Sequence, residues 1–168
     1  WGQDVIQLFG VSRLKALFLA LPLLTTATLT LAQDAMPWEE NGTFPAYSTT
    51  AEAVTGDITL RGGEVNKILT TAGGAEIPLI YVEDSSSAWN LGDPEVWSGG
   101  IFAVAEDPGE LENGNYLCGA DWDATFVVFT PIELPGMDPI LQMAVFGGDQ
   151  PENIDDPDLC GTYNYVIE

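Results

Sequence analysis

The chain has 168 residues, with 4 Lys and Arg against 26 Asp and Glu, no His, and a formal net charge of -22. The absence of His excludes Ser-His-Asp and Cys-His catalysis and any His-ligated metal site, and the charge argues against nucleic acid and anionic membrane surfaces as partners. Hydrophobic residues make up 46% of the chain, which marks a folding sequence rather than an acidic disordered tail.

Residues 11–32 read VSRLKALFLALPLLTTATLTLA. Arg13 and Lys15 form a positive flank, an apolar run follows from Ala16, and Thr30-Leu31-Ala32 ends in small residues, with Gln33 as the expected new N-terminus. This is the layout of a secretory signal peptide, although the run nearly reaches the length of a membrane anchor. The Met residues are Met36, Met137 and Met143. A start at Val11 from a non-standard codon is therefore expected, with residues 1–10 an over-extension. The division is thus a leader and signal over 1–32 and a single β-rich domain over 33–168. In that domain Arg61 and Lys67 are the only remaining cations. Export implies a periplasmic or secreted location and no membrane attachment after cleavage. The excess of acid suits solubility in a salty medium first, and a cationic partner or a divalent metal second.

Pro37 and Pro45 predict an extended lead-in over residues 33–50. Ile58 and Leu60 alternate with Thr59 and Arg61, a strand signal, and Gly62-Gly63 reads as a tight turn. Val65 to Thr71 fits a helical spacing too, but its β-branched content favours a strand. After Gly73-Gly74, Ile77 to Val82 is a strand, and Glu83 to Gly100 reads as a long loop carrying Trp89 and Trp97. Ile101–Ala105, Tyr116–Ala120, Ala124–Thr130, Ile140–Phe146 and Thr162–Ile167 complete about eight strands at hairpin spacing. The pattern predicts an all-β fold, an antiparallel β-sandwich or a small flattened β-barrel, preceded by the helical signal segment.

Cys118 and Cys160 are the only cysteines, and export to an oxidising space makes a disulfide the default. Leu117-Cys118-Gly119 recurs as Leu159-Cys160-Gly161, and at the same offset Asp107 matches Asp149 and Glu110 matches Glu152. Each Cys follows an acidic loop, so a bond between them starts both loops from one region. The first loop supplies Glu106, Asp107, Glu110 and Glu112; the second supplies Asp149, Glu152, Asp155, Asp156 and Asp158. These form the expected contact surface for a basic protein or a divalent cation. Calcium takes six to eight oxygens and needs neither His nor Cys, which makes Asp121, Asp123, Asp155, Asp156 and Asp158 candidate ligands, though without EF-hand spacing.

Trp89, Trp97 and Trp122 sit in or beside loops, where flat rings could stack on sugars; in a small β-domain a tryptophan also serves as core or plug. Paired carboxylates could hydrolyse glycosides, but so many acids give that signal no specificity. No nucleophile–base arrangement and no phosphate-binding loop is visible. Asn41-Gly42-Thr43 matches a glycosylation sequon, a motif that arises easily by chance. The expectation is an exported, acidic, non-catalytic binding module. A small carbohydrate-binding module is the alternative, and a paired-carboxylate hydrolase the more distant one.

Overall fold

The computed structural model describes residues 35–167; the signal segment expected over 11–32 lies outside the described residues. Eight strands form one sheet in which every strand pairs antiparallel with the next in sequence. They are β1 (Gly42–Phe44), β2 (Ile58–Gly62), β3 (Asn66–Thr71), β4 (Glu76–Ser87), β5 (Trp97–Val104), β6 (Phe126–Ile132), β7 (Ile140–Phe146) and β8 (Leu159–Val166). A short helix, α1 (Thr49–Val54), follows β1. Ser48 caps it, its Oγ accepting from Ala51 N at 3.2 Å, which satisfies one of the free N–H groups of the first turn.

The sheet nearly closes into a barrel. Beyond β1 the chain turns away from β2 and meets β8. Ala46 bridges Tyr165, Tyr47 N donates to Asn164 O at 2.8 Å, and Val166 N donates to Pro45 O at 2.9 Å. Residues 42–48 therefore pair with the second strand on one side and the last strand on the other. Tyr165 also ties the end of α1 to β8, its hydroxyl lying 2.7 Å from Thr55 Oγ1.

Alternation sets the inner face. Ile58 and Leu60 of β2, Leu69 of β3, and Ile77 and Leu79 of β4 are all buried and pack with Phe102, Phe129, Leu141, Met143, Tyr163 and Tyr165. An eight-stranded barrel is just wide enough for side chains to fill, and these do. A second apolar group lies on the outer face of β5–β7: Trp89, Ile101, Val128, Ala144, Phe146 and Ile154. The segment after β4 and the β7–β8 connection fold back over these strands, joined by Ile154 N donating to Ala88 O at 2.9 Å. Being covered on both sides, β6 and β7 read as continuous apolar runs rather than alternating ones.

The prediction of about eight antiparallel strands with a disulfide agrees with this fold, with three differences in placement. Tyr116–Ala120, expected as a strand, is a series of turns: Leu117 is buried in the core, Gly119 sits at φ 126°, and Tyr163 Oη donates to Leu117 O. The lead-in expected to be extended over 33–50 contains β1 and the start of α1, both too short to leave a periodic signal. The expected long loop over 83–100 is a loop only over 88–96, because β4 continues through the polar run Glu83–Ser87 past a bulge at Tyr81/Glu83 and pairs with β5 as far as Trp97. The two Leu-Cys-Gly segments differ as well: the second begins β8, while the first is a turn.

One end of the barrel is stoppered by Trp38, only 2% exposed. Its indole lies over Gly100, where a Cβ would stand 2.5 Å from Nε1. Glycine here is a matter of space rather than backbone freedom. Gly100→Ala is therefore expected to displace the stopper and cost about 1–3 kcal/mol, the usual range for overpacking, read as a lowered urea midpoint with an unchanged slope.

Candidate functional site

In a meander of this order the β3–β4, β5–β6 and β7–β8 connections share one end of the barrel, and the β2–β3, β4–β5 and β6–β7 connections share the other. Cys118, in the β5–β6 connection, is bonded to Cys160 near the start of β8, with Cα atoms 4.7 Å apart. Both acidic loops therefore leave from the same end, on either side of the disulfide.

Beyond that anchor the loops diverge. In the first, Glu112 lies against Gly73 of the β3–β4 turn, and Asn115 Nδ2 donates to Ala53 O at the end of α1 at 2.8 Å. In the second, Ile154 is buried beneath Trp89 on the outer face of the sheet. The candidate carboxylates consequently divide by what they do. Asp107 braces its loop, Oδ1 accepting from Gly109 N at 2.6 Å and Oδ2 from Ala124 N at 2.7 Å. Asp156 accepts from Asp158 N at 2.9 Å, the Asp158 carboxylate lies against Gly148, and Glu110 accepts from Tyr116 Oη at 3.3 Å. Glu106, Glu112, Asp149, Glu152 and Asp155 are exposed, as are Asp121 and Asp123.

Among the described residues no three Asp, Glu, Cys or His side chains are grouped so that they could hold a metal ion. The set Asp121, Asp123, Asp155, Asp156 and Asp158 is thus not gathered as calcium ligands. The physical reason is local: Asp155 follows Ile154 out along the sheet face, while Asp121 and Asp123 stay in the β5–β6 connection.

The three tryptophans occupy three different environments. Trp89 is fully buried, edge-on to Phe146 with ring centroids 6.4 Å apart, and its Nε1 donates to Ser85 O. It offers no face to a sugar ring and acts as the plug of the outer apolar group. Trp97 packs against that same group with its Nε1 buried and without a hydrogen-bond partner. Trp122 is 46% exposed and rests on Gly147.

The opposite end of the barrel holds a feature that the sequence reading missed. A cavity of about 480 Å³ is lined by Ala35, Trp38, Glu39, Glu64, Val65, Tyr81 and Phe102. Tyr81 and Phe102 meet edge-to-face at 5.5 Å. Glu39 folds back on its own turn, its Oε2 accepting from Met36 N at 2.8 Å. Beside this turn Lys67 is 2% exposed and its Nζ donates to Glu39 O at 2.7 Å. Burial pushes the Lys67 ammonium below its ordinary pKa, and the Glu39 carboxylate partly opposes that. The available signal was Lys67 itself, standing in register with Leu69 and Thr71 on the inward face of β3. Nothing local marks residue 38 as a stopper.

Two outcomes are expected. Replacing both cysteines by Ser opens a loop with a sequence separation of 42 and should lower the unfolding free energy by about 4 kcal/mol, the chain-entropy value for that length, measured by denaturant titration. For Lys67, the folded state binds the proton more weakly than the unfolded chain, so native stability rises as pH climbs toward 10.5. Lys67→Met should lose that rise. The buried Tyr163 and Tyr165, whose pKa values are raised, act in the opposite direction equally in both proteins. The wild-type minus variant difference in unfolding free energy should therefore grow with pH. Comparison with protein-family models, with curated proteins and with solved structures returned no match to this chain.

Proposed function

We propose that this chain is an exported, non-catalytic binding module whose acidic surface receives a cationic partner. One observation carries the proposal: Lys67 is withdrawn into the barrel, so Arg61 is the only exposed Lys or Arg among the described residues. The surface is thereby left almost wholly of one sign, and the exposed carboxylates beside the disulfide stand on loops braced by Asp107 and Asp156. Such a surface steers a basic partner by long-range attraction. A soft acidic shell of this kind suits a basic protein or peptide better than a bare metal ion, which needs converging oxygens.

The carbohydrate alternative rests on Trp122, whose single exposed ring is a small platform. A catalytic reading has no support from a nucleophile–base pair.

The proposal is tested by titrating the protein with an oligolysine peptide at several NaCl concentrations. Saturable binding that weakens at least tenfold between low salt and roughly physiological ionic strength is expected, since the Debye length shrinks to about 8 Å there. Absent or salt-insensitive binding refutes the proposal. A thermal melt in CaCl₂ against NaCl of equal ionic strength separates the two cation classes. A native-state ligand raises the melting temperature by mass action, so a calcium-specific rise would replace the basic partner with a metal.

A further inference from the structure

The cavity at the end of the barrel away from the disulfide is independent of the acidic loops and has its own chemistry. Trp38 and Phe102, both almost fully buried, form its floor; Tyr81 and Val65 stand higher on its walls; Glu39 and Glu64 stand exposed at the rim. Asp84 adds negative charge next to Tyr81. Mouths of β-barrels are a recurrent place for small-ligand sites, and the lining here narrows the ligand class.

An anion would face Glu39 and Glu64. A neutral apolar molecule would gain nothing from the rim carboxylates. A bare metal ion lacks the grouped oxygens it requires. A cation whose charge is spread over alkyl groups meets both demands: its methyl groups pack on Val65 and Tyr81, which are not buried, its charge is attracted by the carboxylates, and it gives up little hydration on entering. Lys67 offsets part of the Glu39 charge but does not enter this space, and Glu64 is left uncompensated by it. Its Nζ is committed to the Glu39 carbonyl oxygen, and the lysine is not among the cavity walls.

We propose that the cavity bounded by Ala35, Trp38, Glu39, Glu64, Val65, Tyr81 and Phe102 binds a small alkylated ammonium ion of the choline type. The volume of about 480 Å³ exceeds that of such a headgroup, so a chain or linker attached to the nitrogen can extend past Val65 into solvent.

The test is a titration of the protein with choline chloride at constant ionic strength, followed by amide and indole N–H chemical shifts, with the neutral carbon isostere of choline as the comparison ligand. Saturable shifts centred on the Trp38 indole, Val65 and Tyr81 are expected, with the neutral isostere at least tenfold weaker. Glu39→Gln with Glu64→Gln should weaken choline at least tenfold and leave the isostere unchanged. The glutamine amide oxygen can still accept from Met36 N, so the turn is retained. Should the double variant misfold, Glu64→Gln alone, at an exposed hairpin position, should weaken choline at least threefold. No saturable shift, shifts centred on the disulfide end, or equal binding of choline and its isostere would each overturn the proposal. None of these results bears on oligolysine binding at the other end, so the two proposals fail separately.

Discussion

The meander of strands β2–β8 has two open edges, and an unpaired edge carries a row of N–H and C=O groups that must find partners. Here one short segment supplies both. Residues 42–44 complete β2, and residues 45–48 complete β8 through Ala46, Tyr47 and the backbone of Pro45. Everything else in the molecule follows from that closure. It turns a sheet face into an interior, makes Phe44, Leu69, Phe129 and Tyr165 neighbours, and defines two ends with different chemistry.

The closed barrel also explains how aromatic residues are distributed. The inner face was filled from the strands themselves, leaving only the open end for Trp38, and Gly100 provides the room it needs. The outer face of β5–β7 is apolar and would be exposed in a bare barrel. Trp89 and Ile154, brought from two different connections, cover it, and Gln142 Nε2 donates to Trp89 O to hold the cover down. A tryptophan that looks available in a loop is thus part of a second small core.

Charge follows a similar division. Asp107 and Asp156 spend their carboxylates on backbone N–H groups, a use that short acidic side chains in loops commonly have. Their neighbours Glu106, Glu112, Asp149, Glu152 and Asp155 remain free to set the surface potential. The disulfide binds the bases of these loops together, while Glu112 and Ile154 draw their outer parts toward different sides of the barrel. The acidic end is therefore a broad surface rather than a focused chelating site.

Much of this architecture was legible in the residues alone. Ile58 and Leu60, Ile77 and Leu79, and the apolar runs of β6 and β7 announced strands, because side-chain alternation and β-branching are local properties. Two cysteines in a chain whose sequence reads as carrying an export signal announced their own pairing. Tertiary structure alone decided that the sheet curls shut, that Trp38 and Lys67 go inside, that Trp89 is a plug, and which carboxylates stay free. A period of two says that a residue faces one side of a sheet; it does not say whether that side becomes a barrel interior, a covered flank or solvent. That choice depends on contacts such as Ala46 with Tyr165 and Ala88 with Ile154, whose partners are far apart in sequence and leave no mark on the pattern around either residue.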